Sequence, residues 1–384
     1  MTNTLTSLIP DLYEALDTVS REQVGLIPSV LRDHSIERAA KDQTVRSFVA
    51  PASSASDVTP GLYAPDDGNQ TIANKTITIS KSRYVPIRWN GEEQVGVNSG
   101  PGYMNIRKNQ MMQAMRTLCN EVETDLAALH IYASRAYGTA ATTPFASTLG
   151  DPAQVRKILA DNGSPMNDLQ LVIDSAAGAS MRTLAQLTKA NEAGGAELLR
   201  QGVLLDIHGF AIRESKQIKQ AVTVGTASSA TTDNAGYAVG ATTLTLASAG
   251  TGTIIAGDVI TFAGDTNKYV VVTGDADVSN GGTIVIANPG LKVAMSAATK
   301  AITVVAASAR NMAFDRSAIV LCTRAPALPG EGDMAEDAMF IQDPVSGLGF
   351  EVRMYKQYRQ VKYELALAWG CAVIKPENLA ILLG

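Results

Sequence analysis

The longest regular pattern lies in the middle of the chain. Apolar residues recur at Met111, Met115, Leu118, Val122, Leu126, Leu129 and Ala133, spaced 4-3-4-4-3-4, as on one face of a helix. The pattern starts after Gly100-Pro101-Gly102 and runs to about Tyr137, with Gly138 as the stop signal. At 1.5 Å per residue this predicts a rod of about 45–50 Å. Toward the N-terminus, Pro10-Asp11 opens an amphipathic helix carrying Leu12, Leu16 and Val19, and a second short helix follows Pro28 with Val30 and Leu31 apolar. Residues 1–50 hold few large apolar groups after Ile36, so they read as an arm that docks on something else. Over residues 51–98 the period changes to two. Turn chemistry at Pro60-Gly61 and Pro65-Asp66-Asp67-Gly68 precedes two strands, Thr76 to Ser80 and Tyr84 to Trp89. Pro86 cannot donate to a ladder, which places its strand at an edge or bulge.

Beyond the long helix, strand and helix patterns alternate. Asp151-Pro152 reads as an N-cap followed by proline, and Asn162-Gly163 ends that helix. Leu169 to Ile173 is a buried strand; helices follow from about Ala176 to Lys189 and around Ala196 to Arg200. Val203 to Leu205 and Phe210 to Ile212 flank the turn residues His208-Gly209 as in a hairpin. Near the C-terminus a short helix is expected from Asp315 to about Arg324, ended by Pro326. Gly349 to Met354 and Val361 to Leu367 alternate as half-buried strands, and Ala372 to Ile374 and Leu379 to Leu383 complete the core.

Residues 222–305 interrupt this order. Asp233 is the one charged side chain between Ala221 and Gly257, and Gly, Ala, Ser, Thr and β-branched residues dominate. Short runs at Thr242 to Leu246, Asp258 to Phe262, Tyr269 to Val272 and Thr283 to Ile286 alternate with glycine turns. Strands at this spacing predict a small all-β barrel or sandwich inserted into an α/β host.

Composition narrows the function. The chain has 384 residues, is 46% hydrophobic and 18% charged, and carries a net charge of -5, which gives no basic footprint for tight nucleic-acid binding. Its start has neither a positive region nor a long apolar run, so no secretion signal is expected. The three cysteines, Cys119, Cys322 and Cys371, lie in apolar surroundings and read as buried thiols. The three histidines, His34, His130 and His208, are isolated, and no phosphate-loop, zinc-protease or serine-hydrolase motif is present. The acidic run Glu331, Asp333, Glu336 and Asp337 lacks the spacing of a calcium loop and reads as solvated. Glu121, Glu123 and Asp125 do not share one tight helix face. The chain is expected to be no enzyme, with no catalytic residue, no cofactor and no metal.

The order of parts resembles a tailed-bacteriophage major capsid protein of the HK97 fold. Leu171-Val-Ile-Asp-Ser-Ala-Ala-Gly-Ala-Ser180 is similar to the strand-to-helix step of that family's axial subdomain. Leu199 to Ser215 resembles its helix, glycine and hairpin segment, Ala313-Phe-Asp-Arg-Ser-Ala318 its return to the central sheet, and Gly370-Cys-Ala-Val-Ile-Lys-Pro-Glu377 its closing strand. Gly257 to Gly264 with Lys268 to Val272 is similar to the inserted β domain of short-tailed phages that use a separate scaffolding protein, the P22-like branch. The resemblance implies an α+β fold: an N-terminal arm (1–50), an extended β loop (51–98), a spine helix and peripheral subdomain (99–150), an axial α/β subdomain (151–220), an inserted β domain (221–306), and closing strands (307–384).

It also implies a shell of hexamers and pentamers of this chain, first a procapsid and then a mature head, enclosing double-stranded DNA. Scaffolding and portal proteins would be its partners, packaged DNA a weak non-specific neighbour, and the virion capsid, assembled in the host cytoplasm, its location, with no membrane contact. Charged and aromatic residues of the β loop, namely Arg83, Arg88, Trp89, Glu92 and Asp66, are the expected intersubunit contacts. Two other readings are a β-rich surface adhesion protein, which the 222–305 segment would serve as binding domain, and a hydrolase with an embedded β domain. The mid-chain helix and the expected lack of a secretion signal weigh against the first, and the scarcity of histidine and nucleophile motifs against the second.

Overall fold

A computed structural model describes residues 24–49, 55, 57–58, 60–63, 73–97, 102–188, 206–343 and 346–384. The chain forms β1 (Leu31–Ala39), β2 (Thr44–Val49), β3 (Ala73–Thr78), β4 (Lys81–Asn90), α1 (Gly91–Val97), α2 (Tyr103–Ala128), β5 (Arg135–Tyr137), α3 (Gly150–Asp161), β6 (Leu169–Ile173), α4 (Ser175–Thr183), α5 (Ala185–Thr188) and β7 (Phe210–Glu214). Residues 222–305 add β8 (Thr243–Leu246), β9 (Val259–Phe262), β10 (Lys268–Thr273), β11 (Gly282–Ile286) and β12 (Ile302–Val304). Then follow β13 (Arg310–Asp315), β14 (Ile319–Pro326), β15 (Asp337–Gln342), β16 (Gly349–Gln357), β17 (Gln360–Val373) and β18 (Leu379–Leu383).

Two sheets organise these elements. The first runs β1-β14-β17-β16-β15, with β4 also on β17. Residues 360–366 of β17 pair with both β16 and β4, while 368 and 369 pair with both β14 and β4. Because a residue has only two ladder sides, β16 and β14 occupy successive parts of one edge and β4 the other edge along residues 360–369. Pro86 therefore sits on an edge strand, as its missing donor requires. The second sheet runs β12-β9-β10-β5-β18-β13-β6-β7. Helix α3 lays Val155, Ile158 and Leu159 against this sheet, in one cluster with Leu169, Leu171 and Phe210.

The apolar stripe of α2 is the core face: Met115, Leu118, Val122 and Leu126 are all buried, in one cluster with Trp369, Phe350 and Leu367 of the first sheet. The helix is shorter than its periodicity predicts. It ends at Ala128, passes through a 3-10 turn at Leu129–Tyr132, and Arg135–Tyr137 become β5. At 26 residues the rod is about 39 Å. Ala133, the last position of the helical period, ends the 3-10 turn, and Arg135–Tyr137 form a strand between β18 and β10, whose pairing replaces another helical turn.

Three further expectations are corrected. The helix expected after Pro28 is a single 3-10 turn, Ile27–Ser29, followed by β1, which pairs in parallel with β14; the helix at Pro10 lies outside the described residues. Leu26, Ile27 and Val30 are buried in the main core, so the arm from residue 24 onward docks on its own chain. The helix expected over Asp315 to Arg324 is a 3-10 turn at Arg316–Ala318 and then β14, buried along nearly its whole length; a strand covered on both faces reads as a near-continuous apolar run, here Ile319 to Cys322, which hides a period of two. Finally, Asp151 is not an N-cap: it lies in the first turn of α3 and accepts from Phe145 N–H at 2.9 Å.

The expected helix from Ala176 to Lys189 is α4 and α5, capped by Asp174, which accepts from Ala176 and Ala177 N–H. The segments 196–200 and 203–205 lie outside the described residues. The segment 222–305, expected to be an inserted domain, has its own core of Leu244, Ile260, Phe262, Tyr269, Ile284 and Ile302. Its ends meet, with Val222 N–H donating to Ser308 O at 3.4 Å. It is not a separate body, however. β10 pairs with β5 at Lys268 and Tyr269, and Val259 and Val270 pack into the main core of the host.

Candidate assembly interface

Strand β4 shows how the expected contact residues are distributed. Its odd-numbered residues face α2. Lys81 Nζ meets Asp125 Oδ1 at 2.7 Å, Arg83 Nε meets Glu121 Oε2 at 3.7 Å, and Trp89 Nε1 donates to Gln110 Oε1 at 2.8 Å. Trp89 is 3% exposed and belongs to the main core. The expectation that it reaches a neighbouring subunit is therefore corrected: alternation along the strand turns its ring inward, and its large apolar surface stabilises its own chain. Arg83 is exposed but already paired within the chain. Even-numbered residues face the other way, and Tyr84, Pro86 and Arg88 are exposed. Asp66 lies outside the described residues.

Glu92 opens α1 rather than lying in a loop. Asn90 and Glu93 cap that helix reciprocally: Asn90 Oδ1 accepts Glu93 N–H at 2.7 Å, and Glu93 Oε2 accepts Asn90 N–H at 3.0 Å. This buries Glu93 and leaves Glu92 exposed, on the rim of an open hollow of about 680 Å³ that Tyr358 and Gln360 also line.

The register continues this open face across the sheet. Arg88 lies opposite Lys362, and Lys362 opposite Tyr355; Pro86 lies opposite Glu364, and Glu364 opposite Arg353. Lys362 binds Glu364 and lies 5.1 Å from the ring centre of Tyr84. Asp333 accepts from Arg353 Nη2 at 2.5 Å and from Tyr355 Oη at 2.7 Å. Desolvation and the bond to Asp333 push the Tyr355 hydroxyl up to about 12. Glu351 is buried and receives Arg38 at 2.6 and 3.0 Å, a bidentate bridge from β1 to β16. Beside this bridge a groove of about 540 Å³ separates Arg32 and His34 of β1 from Phe340 and Gln342 of β15.

On the upper half of the same face the ribbon of β2 and β3 covers the sheet. Ile77 and Ile79 pack on Ala368 and Cys322. Below it the sheet ends in uncovered groups, Phe340 at 61% exposure and Tyr84 at 57% on this face, with Met339 at 54% on the opposite face and Tyr358 at 90% in the turn between β16 and β17. Sequence reasoning missed these four. The one available signal was the run Ala338-Met-Phe-Ile341, which follows an acidic stretch that reads as loop. Among the described residues no group of three His, Cys, Asp or Glu could hold a metal ion, and no helix is long and apolar enough to cross a membrane. All three cysteines are free thiols.

No family profile and no curated protein matches the chain. Among solved structures, a chain from Mycobacterium phage Che8 is similar with a TM-score of 0.50 at 12% identity, over 99% of this chain and 98% of that one. A chain from the capsid of the cyanophage P-SCSP1u has a TM-score of 0.47 at 13% identity, over 96% and 91% of the two chains. One from the mature capsid of bacteriophage PhiM1 has 0.45 at 11%, over 94% and 86%. The chain thus shares an α+β fold, from end to end, with the protein of phage Che8.

Proposed function

We propose that this chain is the repeating subunit of a closed icosahedral shell, the major capsid protein of a tailed phage or prophage, which forms a procapsid and then a mature head around double-stranded DNA. The observation that carries the reading is the fold shared over 99% of the chain with a phage protein, in line with the HK97-type order of parts in the sequence. The lower half of the open sheet face, with Tyr84, Phe340 and Tyr358 uncovered, suits burial by a neighbouring copy. Hexamers and pentamers of one chain would use that face repeatedly, with scaffolding and portal proteins as partners during assembly. A net charge of -5 suits a wall that must release its DNA, since each basic phosphate contact would raise affinity. The inserted β segment is the projecting part in this reading, as in the scaffold-dependent short-tailed phages.

The purified protein, with and without a co-expressed scaffolding protein, is expected to form closed shells in negative-stain microscopy. A chain that stays monomeric at high concentration in both cases overturns the proposal. The double reversal Arg83→Glu with Arg88→Glu is expected to lower shell yield at least severalfold. The exposed pair of Arg83 with Glu121 contributes only about 0–1 kcal/mol to folding, so the circular dichroism spectrum should be unchanged. Unaltered yield would remove this strand from the interface.

A further inference from the structure

Arg310 opens β13 where the inserted segment returns to its host. The residue is 2% exposed, yet among the described residues only Nη1 has a partner, donating to Ser308 Oγ at 2.6 Å; Nε and Nη2 are buried without one there. The carboxylate whose charge reaches it, Asp258, is occupied by Gly225 N–H at 2.9 and 3.1 Å and by Ile255 N–H at 2.8 Å. A buried guanidinium with unmet donors is strongly unfavourable unless an anionic or polar group meets them. A cavity of about 140 Å³ lies beside it, lined by Thr124, His130, Gln217, Lys219 and Arg310, several times the roughly 30 Å³ that a water occupies in the liquid. Among the described residues His130 Nε2 likewise has no partner, while Nδ1 lies 3.0 Å from Ala127 O and therefore carries the proton.

We propose that this cavity binds one small oxyanion of the size and charge of sulfate or phosphate, held by Nε and Nη2 of Arg310 with Lys219 at the rim. The ion braces the junction at which Val222 and Ser308 meet, so that the inserted segment is fixed to the end of α2. Burial and the charge of Arg310 hold the pKa of His130 below its ordinary 6.5, so at neutral pH its Nε2 offers the anion a lone pair rather than a proton. The charged groups around the ring are Arg310 on β13, Lys219 on the segment entering the insert, and Asp258 ahead of β9; α2 contributes the uncharged Thr124, Ala127 and Ala128. An anion offsets Arg310, favours the protonated ring and gains Nε2–H as a donor. Affinity therefore rises as pH falls.

Calorimetric titration of the full chain with sodium sulfate, which stays fully ionised over this range, tests the site against sodium chloride at matched ionic strength. Saturable binding of one sulfate is expected, severalfold tighter at pH 6 than at pH 8, and lost in Arg310→Met. Lack of binding to the natural chain, or binding that Arg310→Met retains, means that water fills the cavity and overturns the proposal. Should Arg310→Met not fold, Lys219→Ala on the exposed rim decides: a severalfold weaker Kd for sulfate supports the site, and an unchanged Kd overturns it.

Discussion

Three carboxylates on one helix divide between two faces. Glu121 and Asp125, four residues apart, turn toward β4 and meet Arg83 and Lys81. Glu123 lies between them in sequence and points the opposite way. It is buried, and accepts Leu26 N–H at 3.1 Å, Ile27 N–H at 2.7 Å and the Ser215 hydroxyl at 2.6 Å. This one side chain ties the start of the described chain to the helix. Gly25 just before it has no room for a side chain, since a Cβ would lie 2.4 Å from Glu214 O. Glu123→Gln offers a donor where the site needs only acceptors, and is expected to cost about 2 kcal/mol, read as a lower urea midpoint. Burial raises the Glu123 pKa above 4.5, against the pull of its hydrogen bonds. The folded state therefore takes up this proton at higher pH than the unfolded state. The contribution of Glu123 is full below 4.5 and declines as pH rises through the raised folded value, so the deficit of Glu123→Gln should shrink in the same direction. The spacing of the three carboxylates was readable in the sequence. That one of them would serve residues almost a hundred positions away was not, because no local pattern encodes a partner so distant.

At the scale of elements, β17 is the member on which most others depend. Its fourteen residues carry β4 on one edge and β16 and then β14 on the other. Where the chain turns from β3 to β4 it crosses β17 at Gly370, and a Cβ there would lie 2.0 Å from Thr78 O. Backbone cannot yield as a side chain tip can. Gly370→Ala should therefore destabilise by more than about 3 kcal/mol, seen as a fall in Tm or as loss of soluble protein; an unchanged Tm would mean that the crossing is loose. The alternation in Val361 to Leu367 and Gly349 to Met354 announced both strands and their inner faces. Their full lengths and the position of β4 beside them depended on pairing, which adds residues beyond the alternating stretch.

For the whole molecule, the segment 222–305 has a core of its own and is also anchored to the rest of the chain. Its own apolar cluster supplies a small core, which at this size leaves a margin of only a few kcal/mol. The ladder from β10 to β5 and the burial of Val259 and Val270 in the host add to it. Residues 220–307 expressed alone are expected to give a cooperative thermal transition with β-type circular dichroism, at a Tm below that of the full chain. A disordered fragment would mean that the segment folds only against its host, and an equal Tm would mean that the shared ladder contributes nothing.

The sequence by itself determined the elements whose signal is local and repeated. These are the buried face of α2, the strands β6, β16 and β17, the short strands of the insert, and the edge position that Pro86 imposes. Each follows from a period of 3.6 or 2, or from a missing N–H, within a few residues. Only the tertiary structure decided where α2 stops, that Leu31 to Ala39 and Ile319 to Pro326 are strands, and that Trp89 faces inward while Tyr84 and Phe340 do not. Where helix and strand compete in those places, the local pattern does not choose between them. The choice falls to the partner that pairs with it: β18 and β10 for Arg135–Tyr137, β14 for β1, β17 for β4. Such a partner lies far off in sequence, and its hydrogen bonds and covered apolar surface outweigh the small differences in local propensity.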